Sequence, residues 1–423
     1  MWLFYLYFTV FHLSSISLAD WSSASAIRLS RQCWREWPLF SADIQSSSDG
    51  LTELVFDGSQ HSSSRFDGGS SINSGPWTYA PVCTRLLESL GSQLCVYTNR
   101  SFSNGRGISI FTTPRIAKEF AALPAFQHPQ AQDINTFSGA WYTRELPGKG
   151  MGMMAKKQLN FGDRVTAYTP ALIAHLEQEL STLEREKYFR IAISQLPRPL
   201  QDRFLKLATV YGDPRIKVQD VVKANTFQLH AGGQDHLAVF PETARLNHAC
   251  APNAQYVLDP VHLTHTVAAT RPIEPDEEIT ISYTSPLEPT DMRQRHLSDG
   301  FHFTCSCPRC IARDKSDATL QRMMDMQKVL NDWQPTSMAS PKLAEKMLQL
   351  YRDEGLEGFL DIPYGFAALA YNAVGDSNKA EKYAKAAQEA ILMKDGPWTA
   401  NMQIWNEMLE NPKRHWSFRA RSR

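Results

Sequence analysis

The stretch RLNHACAPN, residues 245–253, carries the decisive residues of this 423-residue chain. An amide, an imidazole and a thiol stand within four residues at Asn247, His248 and Cys250, and Asn253 follows shortly after them. A polar turn that contains a cysteine is the simplest interpretation. The other interpretation makes Cys250 a metal ligand, and it depends on whether further thiols can reach Cys250.

A second group of thiols lies in CSCPRC, at Cys305, Cys307 and Cys310. Thiols this close in sequence do not pair sensibly with one another, and a tetrahedral zinc site needs a fourth ligand from a distant segment. Cys250 is the natural fourth ligand. The four thiolates predict a closed, structural Zn²⁺ site, because no coordination position is left open. Disulfides are the alternative, and the odd total of 7 cysteines and their tight clustering argue against it.

Five motifs in order resemble those of SET-domain protein lysine methyltransferases, and among these the SET- and MYND-domain subgroup. The resemblance covers about residues 140–313. No MYND finger is visible, because the cysteine spacing that it requires is absent. The motifs are GKGMGMMAKKQLNFGDRV (148–165), KANTF (223–227), NHACAPN (247–253), EEITISYT (277–284) and RQRHLSDGFHFTCSCPRC (293–310).

The resemblance implies an α+β fold, in which a SET-domain β-clip of short strands carries a helical insert and a four-cysteine zinc post-SET segment. Helical spacing from residue 317 onward adds a C-terminal region that resembles a tetratricopeptide-like helix pair. The predicted parts are a signal peptide at 1–19, a Ser/Gly-rich flexible region at 20–75, an N-terminal accessory region with a degenerate glycine-rich strand at 76–139, a SET domain at 140–300 with a helical insert at 173–210, a post-SET zinc segment at 301–316 and a C-terminal helical domain at 317–423.

The resemblance also implies a site for S-adenosylmethionine. A glycine-rich segment would approach the cofactor, two asparagines would bind its amino-acid end, a histidine backbone would bind the adenine and a phenylalanine would cover that ring. The alternative interpretation is structural, with turn glycines, a helix-capping asparagine and a solvated lysine. The implied residues are, in that order, Gly148, Lys149, Gly150 and Gly152, then Asn225 and Asn247, then His248, then Phe303.

Two aromatic residues would form the methyl-transfer site. The resemblance implies that Tyr283 lies at the methyl-transfer channel and that Phe301 lies across the lysine pocket, where some relatives have tyrosine. A lysine ammonium, with an unperturbed pKa of about 10.4, cannot attack until it loses a proton, so the site must desolvate it and hold it in line. The structural alternatives are a half-buried strand residue at Tyr283 and core aromatics beside the zinc at Phe301 and Phe303.

Two further segments lead to structural predictions. GRGISIFTTPRIA (105–117) parallels the glycine-rich start at 148, and it is either a degenerate duplicate or an extra strand that packs alongside. The acidic turn EPDEE (274–278) precedes the strand that leads to Tyr283, and we expect it to be a solvated face.

The first residues predict entry into the secretory pathway. A run of about twelve mostly apolar residues ends in a polar stretch with small residues before Asp20, as in a signal peptide. A misplaced start codon or a hydrophobic N-terminal strand is the alternative. We expect a secretory or extracellular location if the signal peptide is real, and otherwise the cytoplasm or nucleus. In an oxidising lumen Cys83 and Cys95 could pair and leave Cys33 free, although a thiolate zinc site is unusual there.

Together these observations predict a methyltransferase that transfers methyl from S-adenosylmethionine to lysine side chains of a protein. A non-catalytic SET-fold binding module, or a methyltransferase that acts on an unusual acceptor in the secretory pathway, is the alternative. Lys+Arg and Asp+Glu both total 44, so no net charge draws the chain to nucleic acid. We expect a protein or peptide partner with an accessible lysine, no direct nucleic-acid binding, no membrane span and a monomer.

Overall fold

The structure is a computed structural model that describes residues 75–399 and 401–421. The predicted signal peptide at 1–19, residues 20–74 of the predicted flexible region and Cys33 lie outside the described residues. Within the described part, no helix combines the length and the apolar character that crossing a membrane would need.

Thirteen short strands occur in the described part of the chain. They are β1 Val82–Cys83, β2 Cys95–Asn99, β3 Ile108–Thr112, β4 Trp141–Leu146, β5 Gly150–Ala155, β6 Arg164–Tyr168, β7 Leu172–His175, β8 Thr226–Ala231, β9 Gln234–Val239, β10 Asn247–His248, β11 Ala254–Asp259, β12 Thr264–Ala269 and β13 Thr280–Ile281.

These strands form four sheets. The largest has the order β1-β2-β3-β7-β9-β8, and only β3 and β7 are parallel neighbours in it. The strands β11, β12 and β6 form an antiparallel sheet, β4 and β5 form a hairpin, and β10 and β13 form a parallel pair of two residues each. All residues of β2, β3 and β7 are buried, so the centre of the large sheet is covered on both faces.

Helices connect the strands and make up most of the C-terminal part. Short 3₁₀ turns occur at Pro214–Ile216, Thr243–Arg245 and Glu357–Phe359, and Phe102–Gly105 is a distorted helical turn. The α-helices of the described part are α1 Pro114–Ala121, α2 Pro124–Gln127, α3 Thr182–Ser194, α4 Arg198–Leu205, α5 Lys217–Asn225, α6 Thr290–Phe301, α7 Pro308–Ile311, α8 Arg313–Asn331, α9 Pro341–Asp353, α10 Asp361–Ala373, α11 Ser377–Lys394 and α12 Asn401–Glu410.

The N-terminal accessory region contributes strands to the large sheet. Strands β1 to β3 extend the sheet that β7, β9 and β8 begin, and Cys83 and Cys95 face each other across β1 and β2 in a disulfide. The first glycine-rich segment runs into β3, next to β7. Gly107 precedes this strand with φ +87°, and a Cβ there would lie 2.5 Å from the Pro197 Cδ atom. The segment is thus a strand packed against the rest of the sheet.

The predicted start of the helical insert, at residue 173, is too early. Residues 172–175 form β7, which pairs with β3 and β9 and is buried throughout. Helix formation begins only after Ser181, whose side chain accepts from the backbone N–H of Glu184 in a capping box. An apolar run such as Leu-Ile-Ala fits a buried strand as well as a helix, and the pairing partners decide between them.

The C-terminal helices pack onto the strand region. Helices α8, α9 and α10 share an apolar cluster that includes Leu287, and α10, α11 and α12 share a second. The Gln255 side chain of β11 donates to the Gly358 carbonyl, 3.4 Å away. Helices α10 and α11 meet at a turn in which Gly375 has φ +87°, a conformation that favours glycine. The helix pair is present, and its kinship with tetratricopeptide repeats stays a prediction.

Candidate active site and metal centre

The four cysteines predicted as metal ligands lie together. The sulfur atoms of Cys250, Cys305, Cys307 and Cys310 all lie within 4.8 Å of one another, and those of Cys250 and Cys310 are 3.6 Å apart. Tetrahedral zinc with Zn–S bonds of 2.3 Å would hold its sulfurs about 3.8 Å apart. Cys250 follows β10, Cys305 and Cys307 lie between α6 and α7, and Cys310 lies in α7. The cluster joins two segments of the chain and has the size of a zinc site.

Hydrogen bonds among the four thiols shift their pKa values in different directions. Hydrogen bonds from Cys250, Cys305 and Cys310 hold the pKa of Cys307 far below that of an ordinary thiol. Hydrogen bonds from Cys250 and Cys305 bring the pKa of Cys310 to about 7, whereas those to its three neighbours raise the pKa of Cys250. A divalent cation would bind these residues as thiolates and would release their protons.

Arg309 ties this cluster to the C-terminal helices. The residue is only 6% exposed, and its guanidinium donates to the Cys250 carbonyl at 2.8 Å and the Pro286 carbonyl at 2.9 Å. The same guanidinium pairs with Glu354 at 2.9 Å, and Ser316 donates to that carboxylate at 2.6 Å. A charge buried this deeply is stable only when it is paired, so the contact fixes α9 against the cysteine cluster.

A cleft of about 1260 Å³ opens beside the cluster, between the strand region and helices α8 and α9. It brings together residues from the β4–β5 hairpin, from the NHACAPN stretch and from the segments that follow β13 and α6. Six of the residues predicted for the cofactor and methyl-transfer sites line it. They are Gly148, Lys149, Asn247, His248, Tyr283 and Phe303.

Glu278 organises the mouth of this cleft. Its carboxylate accepts from the Asn247 side-chain amide at 2.9 Å and from the Lys149 ammonium at 2.7 Å. Gly152 packs beside these groups, since a Cβ on it would lie 2.5 Å from the Leu146 Cδ1 atom and 3.0 Å from the Asn247 Nδ2 atom. With its Nδ2 held by Glu278, Asn247 keeps its Oδ1 as an acceptor for a ligand.

The short parallel pair of β10 and β13 sets where Asn247 and Tyr283 stand. In this pair Asn247 lies opposite Thr280 and His248 lies opposite Ile281. Asn253, the last residue of the NHACAPN motif, is buried, accepts from the Thr280 backbone at 2.8 Å and donates to the Glu278 carbonyl at 2.9 Å. Both asparagines of the motif line the cleft, and Asn253 also holds the two strands together.

Tyr283 is fixed at three points. Its hydroxyl donates to the Leu246 carbonyl at 2.5 Å, its backbone N–H donates to the His248 Nδ1 atom at 2.9 Å, and its ring lies 4.8 Å from that of Phe301. Because Nδ1 of His248 accepts, its Nε2 carries the proton, and this N–H faces the Cys250 sulfur at 3.2 Å. His248 therefore connects the tyrosine to the cysteine cluster through its side chain.

Four predicted site residues do not line the cleft. Gly150 and Gly152 lie in β5 behind the hairpin tip, and Phe301 packs on Tyr283. Asn225 is buried at the end of α5, and its amide donates to the carbonyls of Ala208 and Val221. These contacts fit the structural interpretation of Asn225, and its role in binding the cofactor stays a prediction.

Sequence reasoning missed Glu278 and Arg309. The turn at 274–278 was expected to be solvated, and Glu274 is indeed exposed, but Glu278 is hydrogen-bonded within the cleft and Glu277 bonds Arg271 and Asn253. A signal for Glu278 existed, because it shares strand parity with the polar residues Thr280 and Ser282. No sequence signal linked Arg309 to an acid 45 residues later.

Comparison with known proteins supports the motif-based assignment. Residues 150–284 match the family described as SET domain. Histone-lysine N-methyltransferase set5 of Schizosaccharomyces pombe is 26% identical over 287 residues, which cover 64% of this chain and 83% of that protein. N-lysine methyltransferase SMYD2 of Homo sapiens is 35% identical over 102 residues, or 24% of this chain and 23% of that protein. The chain thus spans about a quarter of the length of this relative.

Among solved structures, the SET domain of LSMT bound to lysine and AdoHcy aligns with 68% of this chain and 85% of that chain, at 14% identity and a TM-score of 0.26. That score is too low to support a structural argument. The assignment rests instead on the sequence match, which includes Asn247, Cys250 and Tyr283 and coincides with four of the five motifs. The chain carries a SET domain at residues 150–284.

Proposed function

We propose that this protein transfers a methyl group from S-adenosylmethionine to the side-chain amine of a lysine in another protein. The observation that carries the proposal is the single cleft in which Asn247, Tyr283 and Phe303 meet beside the β4–β5 hairpin. The SET domain and the relatives named as lysine methyltransferases support the same reaction class. The acceptor is an accessible lysine of a protein or peptide, and the chain acts as a monomer.

The cleft residues fit a cofactor that is cationic at one end and flat at the other. The Asn247 Oδ1 atom is free to accept from an ammonium, and the Glu278 carboxylate lies next to it. Phe303 is 37% exposed and offers a ring face on which an adenine could stack. Gly148 lines the cleft with φ +70° and leaves open space where a Cβ would stand, so the backbone can approach a ligand.

The chemistry requires a neutral amine in a dry, aligned pocket. S-adenosylmethionine supplies an activated methyl group on a positively charged sulfur. The ammonium would first lose a proton to water, and the lysine nitrogen would then give its lone pair to the methyl carbon while the electron pair of the carbon–sulfur bond would remain on sulfur. The Tyr283 hydroxyl and the Leu246 carbonyl present oxygens that stabilise the positive charge, while Tyr283 and Phe301 exclude water.

We further propose that the four cysteines hold Zn²⁺. The four thiolates would complete a tetrahedral shell, so the ion would be structural and would not contact substrate. Its place beside His248 and Arg309 would fix both the tyrosine side of the cleft and the helices opposite.

Two features of the chain favour different cellular compartments. The Cys83–Cys95 disulfide favours an oxidising compartment and an acceptor in the secretory pathway, whereas the thiolate cluster favours the cytoplasm or nucleus. Tagging the full chain and following the tag together with Met1 separates the two. A nuclear signal with Met1 retained would rule out the secretory route.

Calorimetric titration of S-adenosylmethionine into the purified chain tests the cofactor site. We expect saturable binding that Asn247→Ala abolishes, because Asn247 lines the cleft with its Oδ1 atom available to a ligand. Methyl transfer to a lysine-containing protein extract, followed by mass spectrometry, then tests the reaction, with Tyr283→Phe as the impaired variant. A folded, zinc-loaded protein that binds no cofactor would support the non-catalytic binding module instead.

A further inference from the structure

The cleft is larger than a cofactor site requires. Small-molecule sites usually measure about 300–1,000 Å³, and this cleft has about 1260 Å³. Besides the predicted cofactor residues, its walls include one face of α8 and the end of α9 at Leu350 and Asp353. A cavity of this size leaves room for a polypeptide segment next to the cofactor.

One face of α8 presents two cations to this space. Lys315 and Arg322 line the cleft together with Ser316 and Thr319. Arg322 lies seven positions after Lys315, which places the two cations on the same side of the helix, two turns and roughly 10 Å apart. Both side chains are exposed, and neither lies within 4.0 Å of a carboxylate among the described residues.

The other charges of the cleft are almost all neutralised within the protein. Asp353 is the one cleft-lining acid without an ion pair to a described cation, and the Gln349 amide donates to it at 2.8 Å. Two unpaired cations therefore face a single unpaired acid. The paired charges are Lys149 with Glu278 at 2.7 Å, Arg271 with Glu277 at 2.6 Å and Arg309 with Glu354 at 2.9 Å.

We propose that Lys315 and Arg322 dock an acidic stretch of the protein substrate. The inference rests on the proposed lysine methyltransferase function and names its substrate class. The two cations stand about three residues of extended chain apart, so Asp or Glu side chains at that spacing would meet both. The arginine guanidinium can bind one carboxylate through two parallel hydrogen bonds, and the lysine ammonium attracts the other as a point charge.

Fluorescence anisotropy of labelled peptides tests this docking without any need for methyl transfer. Two acidic peptides each carry one lysine and one pair of acids three residues apart. The pair precedes the lysine in one peptide and follows it in the other. The comparison peptides carry Asn and Gln in place of Asp and Glu. We expect the wild-type chain to bind one acidic peptide about tenfold more tightly than its amide counterpart at low salt, with a difference that shrinks at high salt.

Charge-matched variants locate the effect. The double variant K315E/R322E should lose the preference for the acidic peptide, whereas K342E/K346E should keep it, because Lys342 and Lys346 are exposed on α9 and do not line the cleft. Thermal unfolding of both variants checks that they are folded. Equal binding of the acidic and amide peptides by the wild type, or an equal loss in both variants, would overturn the docking proposal. Preferential binding without methyl transfer would instead count against the proposed function.

Discussion

At the scale of single residues, Glu278 connects two of the residues proposed to bind the cofactor. It accepts from Asn247 and from Lys149 at the same time, and it is half-buried. Removal of a charged acceptor from two partners costs more than loss of a neutral hydrogen bond. Glu278 therefore positions the amide that would bind the cofactor.

Glu278→Ala should weaken S-adenosylmethionine binding about tenfold, because Asn247 loses the acceptor that orients its amide. Glu278→Gln should fall between this variant and the wild type, since a glutamine oxygen can still accept from Asn247. Calorimetry measures both. Glu274→Ala is the control, because that carboxylate is exposed on the same turn. Wild-type affinity in Glu278→Ala would show that the amide needs no such support.

Phe301 determines how much space remains beside Tyr283. The two rings are 4.8 Å apart, and phenylalanine places one hydroxyl fewer than tyrosine would beside the proposed lysine pocket. We expect Phe301→Tyr to shift the product toward monomethyl-lysine, because the added hydroxyl fills space and holds a water or the amine. Mass spectrometry of the product ladder checks this, with the exposed Phe137→Tyr as the control. An unchanged ladder would remove Phe301 as a determinant of methyl number.

Residue types and motif order predicted which residues line the candidate cleft better than they predicted the hydrogen bonds among them. The cysteine cluster and the six cleft-lining residues came from motifs whose residue types have few other uses at that spacing. Asn225 does not line the cleft, because helix α5 ends at this residue and the side-chain amide donates to the Val221 carbonyl of the same helix. Glu278 was missed because acids in a turn are usually solvated.

At the scale of secondary-structure elements, the cysteine cluster couples α7 and α8 to the strand region. Loss of one thiol should empty the proposed zinc site, because the remaining three cannot close the tetrahedron. Cys307→Ser should therefore lower bound zinc from one ion per chain toward zero and speed hydrogen exchange in α7 and α8. Elemental analysis and exchange mass spectrometry measure the two effects. Ser306→Ala, between two of the cysteines, is the control that should keep the metal.

The Arg309–Glu354 pair is the second coupling between elements. Both side chains are under a tenth exposed, so removal of the acid leaves a buried guanidinium without its partner. We expect Glu354→Ala to lower the free energy of unfolding by about 3 kcal/mol and to raise hydrogen exchange in α9. Asp353→Ala, next to it but not ion-paired, should change stability far less. Equal effects of the two substitutions would mean that the buried pair does not hold α9.

Secondary structure was less predictable than the site because the elements are short. Strands β10 and β13 have only two residues each, and they exist through pairing with each other and not through any alternation of their own. The helical insert predicted at 173–210 takes in most of β7 for the same reason, since a run as short as Leu-Ile-Ala shows no period. Long helices such as α8 and α11 were recognisable, because several turns repeat the pattern.

At the scale of the whole molecule, a common sheet and a common cleft join the parts of the chain: the N-terminal strands, the SET domain and the C-terminal helices. The N-terminal strands β1 to β3 are part of the large sheet, and the cleft needs walls from both the SET domain and α8–α9. Truncation at either end would therefore expose apolar surface or open the cleft. The histidines that this packing buries include His175 and His236 in the sheet and His415 near the C-terminus.

Burial lowers the pKa of these histidines from 6.5 to about 4 for His175, about 3 for His236 and about 4 for His415. His175 shows the cause most clearly: its ring nitrogens have no hydrogen-bond partner among the described residues, and nearby Asp235 only partly opposes the burial. The unfolded chain takes up protons below pH 6.5 while the folded chain does not. The stability that neutral histidines contribute is therefore complete above that pH and is lost as pH falls toward 4.

We expect the free energy of unfolding to fall with decreasing pH between 6.5 and 4, with a slope of up to about 4 kcal/mol per pH unit from the three histidines. Denaturant unfolding at pH 7, 6 and 5 measures the slope. His175→Phe should reduce it by about a third, because phenylalanine fills the same space and takes up no proton, and His128→Phe, at an exposed position, should leave it unchanged. Equal stability at pH 7 and 5 would mean that the buried imidazoles reach water in the folded protein and are not excluded from protonation by the packing that joins the parts of the chain.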